Sequence, residues 1–209
     1  MKKSLLLSLA LAVCTNPTAN FCSASQAQTA PMAIDPLMLA AAQGTGKDVR
    51  DAIASNPKAK ADEQTMAGAL IIAIACQNKD GVRTLLALGA NPNVGIEAAG
   101  QVGDHWTLTE ALSTVVRAAH AVDTKQDGMT LDRDAEGKVI TRSVPKSDAQ
   151  RTQELARAKE IFELVIAHPK TDLSKKNSTG LSVYTLVHIS QAVAGEMEGL
   201  ELIRKFMTS

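Results

Sequence analysis

Short apolar stretches at helical spacing recur along this chain in pairs, each pair parted by a tight turn, and that recurrence restricts the fold more than any single residue. Pro36 suits the first turn of a helix whose packing face is Leu37, Leu39 and Ala40 with its next two alanines, and Gly44 ends it. Past Gly46, Val49, Ala52 and Ile53 mark a second helix, stopped by Asn56 and Pro57. The arrangement then returns. Leu70, Ile71, Ile74 and Ala75 mark a first helix, residues 79–81 read as a turn, and Val82, Leu85, Leu86 and Leu88 mark a second helix closed by Gly89. Composition agrees with helices in close contact. Hydrophobic residues make up 45% of the 209 positions but aromatics only 2%, so the core is built from Ala, Leu, Ile and Val. An all-β sandwich would need more aromatic and threonine content.

The stretch 80–93, reading Asp-Gly-Val-Arg-Thr-Leu-Leu-Ala-Leu-Gly-Ala-Asn-Pro-Asn, resembles the second helix and exit loop of an ankyrin repeat. Repeats of that family recur every 33 residues or about that, as two helices followed by an extended loop. Each piece has a mechanical reason. Gly89 can take the left-handed conformation that ends a helix, Asn91 and Pro92 turn the chain, and Asn93 can bond nearby backbone to hold the loop.

A third unit begins near Trp106, Thr107, Leu108, Thr109, Glu110 and Ala111, similar to the Thr-Pro-Leu-His-x-Ala opening of a repeat. Its first helix runs on through Val115, Val116 and Ala119; its second is read over 156–167, with Ile161, Leu164, Val165 and Ile166. Between them lies an excursion over 123–147. There Met129, Leu131, Val139, Ile140 and Val144 flank the turn-rich 132–137, which reads as a β-hairpin. A fourth unit is announced over 168–184, and Gly195 separates its helices. The resemblance covers 36–209 and implies an all-α ankyrin-repeat solenoid of about four helix pairs with a β-hairpin insertion in the third.

Ahead of the repeats, Lys2 and Lys3 precede an apolar run over 5–13, which has the form of a secretory signal. Such a run is too short for a membrane-spanning helix, which needs roughly 20 residues. Cleavage is expected after Ala27, with Ala24 as the alternative, giving a signal peptide over 1–27, a lead-in over 28–35 and a repeat domain over 36–209. Leu11, Ala12, Val13 and Cys14 resemble a lipobox, but Val13 stands where a small residue is usual, so lipidation of Cys14 is the lesser reading. On this reading Cys76 is the one cysteine left in the mature chain, a packing thiol with no internal disulfide. The expected location is the periplasm, with no membrane insertion of the mature chain and a monomer when free.

Charge and motifs argue against several functions. Lysine plus arginine equal aspartate plus glutamate at 22 each, so no net field favours nucleic acid. His105, His120, His168 and His188 are scattered, and no metalloprotease, nucleophile-elbow or phosphate-loop motif occurs. Asp132, Asp134, Glu136 and Gly137 have the spacing that opens an EF-hand loop, but Ser143 stands where the twelfth-position Glu is required, which leaves a solvated turn. The sequence therefore predicts a non-enzymatic protein with no cofactor and no metal.

What remains is recognition of another protein. Trp106 stands where loop meets helix, and Trp is enriched among interface anchors. Asp104 and His105 beside it, and Glu97 in the same long loop, share its neighbourhood; Arg133, Asp134 and Glu136 form a second candidate contact at the tip of the insertion. The resemblance implies a partner in the cell envelope, in its most concrete form a delivered toxin that the protein neutralises as an immunity protein. Its alternative is an accessory role against oxidative stress, assisting an exported redox enzyme.

Overall fold

In the computed structural model the described residues are 35–98, 101–133, 139–176, 180, 182 and 185. The expected leader over 1–27, nearly all of the lead-in and most of the fourth unit lie outside them. The described part is mostly helical, as expected.

Helix α1 (Pro36–Gln43) carries Pro36 in its first turn, and the Asp35 carboxylate accepts from the Leu37 amide at 2.8 Å. Leu37 and Ala40–42 are buried. Leu39, expected on the packing face, is 48% exposed, because a step of two residues turns it about 200° round the helix from Leu37, away from the face that Leu37, Ala40 and Ala41 bury. Helix α2 (Gly46–Ser55) opens with a capping box: the Thr45 hydroxyl caps the Asp48 amide, and Asp48 accepts from the Thr45 amide at 2.7 Å. Gly46 permits the helix that carries Thr84, Lys79–Ala87, to come close. A Cβ there would lie 2.4 Å from the Thr84 hydroxyl, inside the contact distance of two atoms. The chain does not leave helical structure at Pro57, which opens the short helix α3 (Pro57–Ala61).

Helix α4 (Glu63–Ala75) is buried continuously from Met66 to Ile74. A helix apolar on every side belongs at the centre of a structure, and α4 contacts α1 on one flank. Residues 79–81 are not the turn expected of them. They form the first turn of helix α5 (Lys79–Ala87), because the Asn78 side chain accepts from the Gly81 amide at 3.0 Å and starts the helix there. Gly89 closes α5 with φ +99°, the left-handed form expected, and its neighbour Ala90 donates back to the Leu85 carbonyl at 3.0 Å.

The long loop ahead of the third unit is itself a hairpin, which the sequence reading did not anticipate. Strands β1 (Gly95–Ala98) and β2 (Gln101–Trp106) pair antiparallel with Gly95 opposite Trp106. Helix α6 (Thr107–Asp123) follows directly. Strands β3 (Gly128–Arg133) and β4 (Val139–Val144) then pair in unbroken register from Gly128–Val144 to Arg133–Val139. Helix α7 (Asp148–Ile166) starts earlier than read from its apolar residues, set by a second capping box between Ser147 and Gln150.

The packing is serial. First helices touch first helices, α1 on α4 and α4 on α6; second helices touch second helices, α2 on α5 and α5 on α7; and each pair packs within itself. One continuous core results, with Leu37, Leu70, Ile74, Leu85, Leu108, Val115, Ile161 and Phe162 nearly sealed from solvent. Phe162 is the aromatic residue among them, in line with a core made from aliphatic side chains.

Candidate partner-binding surface

Helix α6 fixes where the two sets of candidate contact residues stand. Glu97 lies on β1, and Asp104, His105 and Trp106 end β2, so the first set shares one hairpin at the N-terminal end of α6. Within it His105 stands opposite Ile96 and Trp106 opposite Gly95. This hairpin leans on the body through contacts of β1 with α4 and of β2 with α6. Arg133 ends β3, which follows α6 in the chain, while Asp134 and Glu136 lie outside the described residues. The 17 residues of α6 separate the two hairpins along the chain.

The junction beside Trp106 is tight. Thr107 is completely buried, and neither its hydroxyl nor that of Thr109 has a hydrogen-bond partner. One turn on, Glu110 is buried with its carboxylate held by Arg117 at 2.8 Å, and Arg117 also donates to the Thr114 hydroxyl at 3.1 Å. This ion pair is internal to α6 and fixes the helix's polar stripe rather than leaving a free charge.

The exit loops of the second and third units are tied to each other. Asn91 donates to Glu63 at 2.7 Å and accepts from the Asn93 amide at 3.0 Å. Asn93 then reaches across: its side-chain oxygen accepts from the Asp172 amide at 2.8 Å, its amide group donates to the Lys170 carbonyl, and its own carbonyl accepts from the Lys175 ammonium. Asn93, expected to bond nearby backbone, instead reaches a loop 77 residues away in sequence, and the local bond is made by the Asn91 side chain. Asp172 is in turn fixed by Ser174, whose hydroxyl donates to it at 2.6 Å and holds its carboxyl below the usual carboxylate range.

The base of the second hairpin is anchored by Arg151, in the first turn of α7. It is 6% exposed and donates to the carbonyls of Lys125 at 2.8 Å and Gln126 at 3.0 Å, and to Asp127 and Asp148. Lys146 adds a bond to Glu154 at 2.8 Å. The insertion therefore leaves the stack from a fixed base.

Cys76 departs from the sequence reading. It is not the sole thiol of a disulfide-free chain but is disulfide-bonded, half-buried against the core at the end of α4. The other two cysteines of the chain, Cys14 and Cys22, lie outside the described residues. A chain cut after Ala27 would contain neither, so that cleavage site and this bond exclude each other.

Among the described residues, no group of three or more His, Cys, Asp and Glu side chains is arranged to hold a metal ion, and no helix is long and apolar enough to cross a membrane. No family model, no curated protein and no solved structure matches the chain.

Proposed function

We propose that this protein is a non-enzymatic binding module of the cell envelope, built as an ankyrin-type stack, whose partner is a protein and in the most concrete case a toxin it neutralises. The observation that carries the reading is the serial packing of helix pairs, first helix on first helix and second on second, with Asn93 lacing one exit loop to the next. In such an array each unit contacts only its neighbours, and the loops and first helices make one extended surface suited to a macromolecular partner. The disulfide at Cys76 favours an oxidising compartment over the cytosol.

On this reading the hairpin ending at Trp106 is the principal contact. It sits beside the laced loops and is backed by α4 and α6. Capture from envelope extracts, followed by reconstitution with the purified partner and calorimetry, tests it. Trp106→Ala is expected to weaken the complex by more than about 1 kcal/mol without lowering the unfolding midpoint. Unchanged affinity with lowered stability would return Trp106 to a packing role. For the immunity form, the protein should rescue cells from the captured toxin, and absence of rescue would remove it.

A further inference from the structure

We infer that the edge of the stack formed by its exit loops is a basic docking surface for an acidic patch on a partner protein. The inference rests on the binding reading above and names the chemistry of the partner. The chain as a whole carries 22 basic and 22 acidic residues, so a local excess comes from where the charges are placed.

Three loops meet along this edge. The first runs through α3 into Asp62 and carries Lys58 and Lys60; the second, 88–94, carries no charge; the third follows α7 and carries Lys170, Lys175 and Lys176. All five lysines are exposed. Asn91 joins the second loop to the first at Glu63, and Asn93 joins it to the third at Lys170 and Asp172. Packed helices lie about 8 to 10 Å apart, so three units spread these lysines over roughly 20 Å.

Charges on this edge are handled differently from those on the helices. There Lys47 pairs with Asp51, Arg83 with Asp80 and Lys79 with Glu160. Among the described residues Lys58, Lys60, Lys170 and Lys176 form no ion pair, and the Lys175 ammonium donates to the neutral Asn93 carbonyl, which leaves its charge in place. The carboxylates of the edge are occupied in building it. Asp62 caps α4, accepting from the Gln64 amide at 3.3 Å and from the Thr65 hydroxyl; Glu63 accepts from Asn91; Asp172 accepts from Ser174 at 2.6 Å. Asp62 and Glu63 also stand at the positive end of the α4 dipole, which offsets part of their charge. Leu173, in the third loop and 38% exposed, adds apolar surface.

An acidic surface laid along the edge supplies the missing counter-charges, and loops already fixed by Asn91 and Asn93 lose little freedom on binding. The interleaved carboxylates would repel a continuous row of phosphates, so the edge suits the mixed charge of a protein better than nucleic acid or an anionic lipid surface.

Titration of the full chain with a glutamate-rich peptide, with anionic vesicles and with duplex DNA decides this. The peptide should bind at about 50 mM salt and about tenfold more weakly at about 300 mM. Lys58→Glu with Lys60→Glu, and Lys170→Glu with Lys176→Glu, should each weaken it about tenfold, while Lys125→Glu with Arg157→Glu stays within about twofold of the unaltered chain. Unchanged urea midpoints in all three variants separate lost binding from lost fold. Absence of peptide binding, equal losses in edge and control variants, or preference for vesicles or DNA would overturn the inference. The binding reading is judged apart: an envelope protein captured equally by the unaltered chain and by both edge variants sinks the basic edge alone, whereas capture of none by the unaltered chain sinks the reading itself.

Discussion

The turn between α4 and α5 and the turn between α6 and α7 begin alike and end differently. Both first helices close through the same pair of hydrogen bonds. Asn78 donates to the Ala73 carbonyl at 2.8 Å and Gln126 to the Ala121 carbonyl at 3.1 Å, each across a left-handed residue, Gln77 and Lys125, with φ +53° in both. In the second unit the next residue, Asn78, starts α5 at once. In the third the chain detours through β3 and β4 before Ser147 starts α7. The second helix nonetheless lands in the same place in both, against the second helix before it.

What differs is the side chain that closes the turn. Asn78 points back to the preceding unit and donates to Ala41 at 3.0 Å and Gly44 at 2.8 Å, sealing the carbonyl end of α1. Arg151 points back within its own unit and holds the turn that follows α6, at the carbonyls of Lys125 and Gln126. A long insertion is tolerated because one buried guanidinium satisfies the groups that a short turn would have satisfied locally.

The comparison can be broken at that guanidinium first. Arg151→Ala takes the guanidinium from two carbonyls and from Asp127, which keeps only Ser143 and the Lys146 amide, and should cost about 3 kcal/mol, read as a lowered urea midpoint. Loss under about 1 kcal/mol would mean that the insertion seats itself. Asn78→Ala removes a helix cap and the bonds to α1 together, for an expected loss of about 2 kcal/mol. Because those bonds join two units, the loss should be accompanied by earlier exchange of α1 amides, whereas Arg151→Ala should loosen α6 and α7.

The shared half of the two turns offers a matched pair. Gln77→Gly and Lys125→Gly each relieve a side chain in left-handed conformation and should stabilise by similar amounts, about 0.5 to 1 kcal/mol. Unequal effects would show that one turn is held by its surroundings rather than by its own closure.

The smallest effect is on acid stability. Lys79 bonds Glu160 at 2.7 Å, linking α5 to α7, and holds its carboxyl below the usual carboxylate range; the Thr45 hydroxyl does the same for Asp48. A lowered folded-state value means that each contribution is complete above the ordinary carboxylate pKa and is lost as pH falls through the lowered one. Glu160→Gln should therefore flatten the loss of stability on acidification without moving the neutral-pH midpoint much, since the pair is exposed.

The paired helices were legible because burial on one face leaves a periodic apolar record, and Gly89 with Asn91 and Pro92 marks an exit loop in any context. The hairpin over 95–106 left no such record. Val94, Ile96 and Ala98 alternate only over one short strand, Gly103 and Asp104 leave its partner without an apolar face, and pairing through backbone bonds needs none. The start of α7 was written in Ser147 and Gln150 but was obscured by reading apolar residues alone. Asn78 and Arg151 were not findable as a class, since their work is done on carbonyls whose positions only the packed stack defines. Cys76 was misread for a different reason: its assignment as a lone thiol followed from an assumed cleavage site, not from its surroundings.

If the helix pairs form a self-sufficient stack from which the second hairpin projects, excising that hairpin leaves the stack folded. Replacing 129–143 with a short Gly-Ser turn, leaving Gln126, Asp127 and Arg151 in place, should preserve the helical circular-dichroism signal and a single cooperative urea transition, with the midpoint changed by less than about 1 kcal/mol in stability. A broadened or split transition with lost helical signal would contradict it, because α7 would then depend on the hairpin and not on the stack.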